Sequence, residues 1–241
     1  MAASAISVDG ARFSYGEREV LKGITFEVAP GEVLGFLGPN GAGKSTTIRM
    51  LTGQLRPSAG SVRLFGRDVV RARSEVMGRV GVSFEEKNLY PSMTGEENLR
   101  FFARLYGVPH ADVRALLEHV GLETRRRDLV AGYSKGMRQR LMIARALVHD
   151  PDVLLLDEPT DGLDPNQKHE VRGLIREMAP GKTIIISTHI LEEVHAVCTR
   201  AIIIAAGRIL ADDSPAGLAA RSPRHDLEEV FRDITLGGRP S

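Results

Sequence analysis

The sequence predicts an α/β fold with a mainly parallel sheet at its core, a small antiparallel β subdomain at the front and an inserted helical subdomain. Three observations predict it. Short β-branched runs, Val33 to Leu37, Val153 to Leu156, Thr183 to Ser187 and Ala201 to Ala205, are apolar throughout, as strands buried on both faces of a parallel sheet are. Helical spacing separates the last three runs, which gives strand-helix-strand units. Between residues 94 and 149, helical spacing continues with hardly any strand-like stretch.

At the front, VLKGITFEV (Val20 to Val28) and GSVRLFG (Gly60 to Gly66) alternate between bounding glycines, the pattern of a small antiparallel sheet. Between them lie the strand VLGFL and a helix, STTIRMLTG. Thr94 to Val120 and Lys135 to His149 read as the helices of the insertion; in the second, Met137, Leu141, Ala144 and Val148 fall on one face. Beyond the strand Val153 to Leu156, helical patterns over Gln167 to Met178 and Ile190 to Val197 alternate with the last two strands. We expect one domain over residues 1–241, with the core in 1–84 and 151–220, the helical subdomain in about 85–150 and a short tail in 221–241.

A chain of 241 residues, 42% hydrophobic and 26% charged, can bury a sizeable core without disulfides or metals, and a largely disordered chain is excluded. The net charge of +1 gives no field that would attract nucleic acid, so no nucleic-acid partner is expected. Arg125-Arg126-Arg127 reads as a solvated loop and the lone Cys198 as a small apolar residue on a helix face. MAASAISVDG lacks the basic start and apolar run of a signal peptide, which predicts a cytosolic protein. Apolar stretches such as Ala201 to Ala206 fall far short of the ~20 residues a spanning helix needs.

The strongest local signal is Gly38-Pro39-Asn40-Gly41-Ala42-Gly43-Lys44-Ser45, followed by Thr46, between a predicted strand and a predicted helix. This is the G-x-x-x-x-G-K-[ST] pattern of a P-loop NTPase core. Its glycines let backbone N–H groups turn toward phosphates, and the helix N-terminus adds partial positive charge. Lys44 is expected to reach the β- and γ-phosphates and the Ser45 hydroxyl to join Mg²⁺. Further on, VLLLDEP delivers Asp157 and Glu158 to the C-terminal end of a strand, the edge where doubly wound sheets bind ligands. We expect Asp157 to hold Mg²⁺, directly or through water, and Glu158 to act as general base on the attacking water.

With these in place, the chain resembles the ATP-binding subunits of ABC transporters along nearly its whole length. YSKGM, Tyr133 to Met137, stands where that family has its LSGGQ signature; Ser134 and Gly136 put a hydroxyl and an unhindered N–H at a helix N-terminus. Read alone, the segment is also a plain helix N-cap. The resemblance implies that the signature, Ser134, Gly136 and Met137, covers the γ-phosphate held by the loop of a second ATP-binding subunit, so that a pair, expected to be a homodimer, sandwiches two ATP molecules. It also implies that Tyr15 stacks on adenine, that Asp164 of GLDP crosses to the partner subunit, and that His189 is the switch histidine on the γ-phosphate.

Where the family has a glutamine that touches Mg²⁺ or the attacking water, this chain offers Glu85. We expect that carboxylate, a further metal ligand, to slow or pH-sensitise coupling. Lys135 and Met137 replace the signature's glycine and glutamine, and with the terminal LEEVFRDITLG they resemble the branch that serves drug, antibiotic and polysaccharide exporters. The resemblance therefore implies an ATPase at the cytoplasmic face of the cell membrane, peripheral to a separate integral membrane subunit and powering export. The competing reading, a soluble ABC-type ATPase acting on ribosomes or DNA, fits poorly with a single ATPase unit, no long coiled-coil insertion and near-zero net charge.

Overall fold

A computed structural model describes residues 4–84 and 89–236. In chain order the strands are β1 (Ile6–Tyr15), β2 (Arg18–Val28), β3 (Val33–Leu37), β4 (Ala59–Leu64), β5 (Arg67–Asp68), β6 (Val80–Ser83), β7 (Val153–Asp157), β8 (Thr183–Thr188), β9 (Arg200–Ala205) and β10 (Arg208–Asp213). The helices are α1 (Lys44–Leu51), α2 (Arg73–Met77), α3 (Gly95–Leu105), α4 (Val113–His119), α5 (Lys135–Leu147), α6 (Pro165–Met178), α7 (Leu191–Val197), α8 (Pro215–Ala219) and α9 (Leu227–Leu236).

The all-apolar runs form the centre of a six-stranded sheet in the order β10-β9-β3-β8-β7-β6. Every pairing in it is parallel except that of the edge strand β10 with β9. These runs are apolar throughout because both faces are covered: Leu155 belongs to the core shared with the second sheet, while Leu154 and Leu156 enter the core shared with the helices. The second sheet is antiparallel, in the order β2-β1-β4-β5. Phe26 of β2 and Phe36 of β3 meet across the layer with ring centroids 5.4 Å apart.

Three elements escape sequence periodicity for identifiable reasons. In β1 the pairing register shifts between Val8 and Ala11, so the buried positions change parity part-way along the strand. β6 is only four residues long, too short for a period to show. β10 returns along β9 through Ala206 and Gly207, both at positive φ.

Helices α3, α4 and α5 lie between β6 and β7 in the chain. The predicted run from Thr94 to Val120 is two helices, since α3 ends at Leu105 ahead of Gly107-Val108-Pro109. Thr94 starts α3 with a capping box: its hydroxyl accepts from the Glu97 N–H at 3.2 Å and the Glu97 carboxylate accepts from the Thr94 N–H at 2.8 Å. α5 is buried over far more than the one face its spacing suggested, Met142, Ile143 and Ala146 included, because α3 and α4 cover it on one side and β6 on another. Leu227 of α9 enters a third core with Val194 of α7 and Ile203 of β9.

Candidate nucleotide site

The chain leaves the buried end of β3 and turns through Gly38–Gly43 into α1. This turn has no room for side chains at its ends. A Cβ at Gly38 would sit 2.3 Å from the Ile204 carbonyl oxygen, and one at Gly43, where φ is +114°, would sit 2.6 Å from Leu21 Cδ2. The loop is thus pressed onto β9 and β2. No side chain caps α1, so its first N–H groups remain directed at whatever lies before the helix. Lys44 is 4% exposed; its ammonium donates to the carbonyls of Gly38 (2.7 Å) and Pro39 (3.2 Å) and lies 3.5 Å from Glu158 Oε1. Ala42 is buried behind the loop, while Asn40, Gly41, Ser45 and Thr46 line the cavity in front of it.

β7 brings the two predicted acids to this loop. Asp157 Oδ1 accepts from the Ser45 hydroxyl at 3.3 Å and from the Ser187 hydroxyl. A hydroxyl and a carboxylate side by side are hard oxygen donors of the kind Mg²⁺ takes, so this pair fits the expected ion. Glu85, the third expected ligand, lies outside the described residues. Glu158 adopts φ +49°, held by its N–H donating to the Ser187 carbonyl at 2.9 Å. In that conformation its other oxygen, Oε2, lies 3.5 Å from His189 Nδ1, and His189 Nε2 is 3.9 Å from Asp161 Oδ1. Lys44, Glu158 and His189, found separately in the sequence, therefore converge on one point.

Lys44 and Glu158 line a cavity of about 880 Å³ that is open to solvent, with His189 next to Glu158. Tyr15 forms one wall at the end of β1, 47% exposed and edge-on to Phe13 with centroids 4.9 Å apart. Sequence reasoning missed Arg18, Lys135, Gln139 and Asp161 as lining residues and Ser187 as a partner of Asp157. For Ser187 the signal is register: it pairs directly with Asp157 across β7 and β8.

The signature segment behaves differently. Ser134 is exposed and caps α5, its hydroxyl accepting from the Met137 N–H at 3.2 Å. Tyr133 is buried and its hydroxyl donates to the Arg125 carbonyl at 2.8 Å. Gly136 is buried beneath Gln167 of α6, and Met137 is half-buried. None of Ser134, Gly136 and Met137 lines the cavity of the same chain. Asp164 likewise caps its own helix, α6, accepting from the Gln167 N–H at 3.0 Å.

Among known proteins, the family model described as "ABC transporter" matches residues 21–161. The Nod factor export ATP-binding protein I of Paraburkholderia xenovorans is 45% identical over 236 residues, which are 96% of this chain and 78% of that relative. A fluoroquinolones export ATP-binding protein of Mycobacterium tuberculosis is 42% identical over 230 residues, 94% of this chain and 76% of the relative. Of solved structures, an ATP-binding subunit of an ABC transporter superposes with a TM-score of 0.84 at 30% identity, covering 96% of this chain and 99% of the other. cbiO1 of Clostridium perfringens, described as part of the ABC transporter complex cbiONQ, gives 0.82 at 30% identity, covering 97% and 95%.

Proposed function

The chain belongs to the ABC transporter family, as an ATP-binding subunit that hydrolyses ATP to drive transport, and on that premise we propose that two identical copies clamp two ATP molecules and power export. The observation that carries this reading is that Ser134 and Gly136, the expected anion-binding donors of α5, do not line the cavity that the phosphate loop borders. The phosphate loop borders a cavity with Lys44 and Glu158, next to His189, whereas the exposed Ser134 hydroxyl does not line it, although Lys135 and Gln139 of the same helix do. A second copy, turned to face the first, brings its Ser134 hydroxyl and the N–H of Gly136 onto the γ-phosphate that the first copy holds, and its Asp164 across the interface. A two-fold pair makes both contacts at once, as self-complementary dimers do.

In each pocket the adenine stacks on the exposed face of Tyr15, and the N–H groups of Asn40 to Thr46 take the phosphates. Glu158 accepts a proton from water as its oxygen bonds to the γ-phosphorus and the bond to the ADP oxygen breaks. Lys44 and His189 donate to the phosphoryl oxygens, where negative charge spreads in the transition state. Ser45 and Asp157 would hold Mg²⁺, which supplies charge neutralisation at the β- and γ-phosphates. The export direction is supported by the names of the Nod factor and fluoroquinolones relatives.

Among the described residues no helix is long and apolar enough to cross a membrane, and we assign passage of cargo to a separate membrane subunit; cbiO1 is likewise described as part of a larger ABC transporter complex. We assign its contact to the aromatic cluster after β6, where Tyr90, 42% exposed, lies 5.0 Å from Phe101 and 6.1 Å from Phe102 between ring centroids. That contact would hold the chain at the cytoplasmic face of the membrane. Light scattering of the purified Glu158→Gln chain tests the pairing: ATP with Mg²⁺ should convert monomer to dimer and ADP should not. A monomer that binds ATP at saturation yet never pairs would refute it.

A further inference from the structure

Two residues beyond Glu158, Thr160 is fully buried and its hydroxyl donates to Glu193 Oε1. Glu193 stands on α7, four residues after His189, and is only 2% exposed. Among the described residues its second oxygen, Oε2, has no hydrogen-bond partner. The Thr188 side chain, next to His189, faces the same carboxyl, while its hydroxyl accepts the Ile190 N–H at 3.0 Å. One buried carboxyl is therefore hydrogen-bonded to the loop that carries Glu158 and stands beside the residue that precedes His189.

Burying a part-paired carboxyl costs free energy that an apolar side chain would not, so Glu193 is a poor choice for filling the core alone. Burial pushes its pKa above the usual carboxylate range, against the pull of the Thr160 and Thr188 hydroxyls. Strain at Glu158 suggests what it is for. A glutamate at φ +49° sits in a region that costs on the order of 1–3 kcal/mol and persists only where surrounding structure over-determines it. The main-chain bond to Ser187 holds one side of that turn, and the Thr160 hydroxyl on Glu193 anchors the other.

We infer that Glu193 is a positioning residue for ATP hydrolysis: through the Thr160 hydroxyl it fixes the turn that carries Glu158 and so keeps Glu158 at its 3.5 Å approach to His189. This rests on the proposed roles of those two residues. A misplacement of about 1 Å can cost on the order of 10²-fold in rate, so the effect belongs in kcat rather than in ATP binding.

The test uses the full chain in complex with its membrane subunits, and compares Glu193→Ala, Glu193→Gln, Thr160→Val and Thr160→Ser with wild type and Glu158→Gln. Glu193→Ala and Thr160→Val should each lower kcat by about ten- to a hundredfold with KM for ATP within about twofold. Glu193→Gln and Thr160→Ser, which keep the hydrogen bond, should return kcat to within about threefold of wild type, and the double variant Glu193→Ala/Thr160→Val should fall no further than the worse single. Thr160→Val preserves volume, so it carries the same expectation if Glu193→Ala does not fold. Wild-type kcat in Thr160→Val, equal changes in kcat and KM, or multiplied losses in the double variant would overturn the inference. If Glu158→Gln is inactive in the same assay, such a result removes the inference alone; an active Glu158→Gln removes the reading beneath it.

Discussion

The N-termini of α1 and α5 are both glycine-bearing helix ends, yet their surroundings are opposite. At α1 no side chain caps the helix, Lys44 is buried to 4% exposure, and groups from β7 and the end of β8 converge within 3.5 Å. At α5 the helix is capped by its own Ser134, which faces solvent and does not line the cavity, although Lys135 and Gln139 of the same helix do. The first is a finished half of a pocket. In the proposed pair, the second becomes an anion-binding surface for the phosphate that the other copy carries. The difference teaches that an identical motif chemistry, donors at a helix end, gets its meaning from what the fold brings opposite it.

Substitutions can break this contrast from either side. The largest expected effect is at the finished half: Glu158→Gln should lower phosphate release by about 10²–10⁴-fold with ATP binding intact by calorimetry. A loss under tenfold would mean another group takes the proton. Next, Ser134→Ala should cut ATPase activity at least tenfold while leaving the chain's own ATP affinity unchanged; a parallel fall in affinity would place Ser134 on its own chain's nucleotide. Its folding cost should be about 1 kcal/mol, that of losing a cap.

The glycines separate the two ends by stability. Gly38→Ala drives a Cβ against a main-chain carbonyl that cannot yield, and should destabilise by about 1–3 kcal/mol in chemical denaturation. Gly136→Ala meets Gln167, a side chain able to swing aside, so its loss should be smaller, under about 1 kcal/mol. Reversed rankings would show that the loop relaxes more readily than its packing implies. The smallest expected effect on activity is that of Thr94→Ala, which removes a cap of the same chemistry as Ser134 from α3. It should lower stability by about 1 kcal/mol and leave hydrolysis unchanged, which makes it the control for caps as such.

Local spacing made much of this visible in the sequence. The phosphate loop, the Asp157-Glu158 pair and the apolar strands are each contiguous, so their physics is written in neighbouring residues. Asp161, Ser187 and Arg18 were not legible, because they reach the cavity through strand register and loop geometry; Ser187 meets Asp157 only because β7 and β8 pair as they do. Helix α5 misled in the same way. Its spacing shows one apolar face, but a helix lodged between other helices and a sheet buries polar positions too, Gln139 and Arg145 among them. β1 hid behind a register shift that moves the buried positions to the other parity.

The most direct measurement mixes two inactive forms of the full chain. Lys44→Ala spoils the phosphate loop and Ser134→Arg the facing surface, so each alone should hydrolyse almost no ATP. In a mixed pair, one pocket joins the intact loop of the Ser134→Arg copy to the intact Ser134 of the Lys44→Ala copy. The account predicts that mixing restores ATPase activity well above the sum of the two parents, rising with total protein concentration. A mixture no more active than that sum, beside wild-type chain whose specific activity ignores dilution, would contradict it.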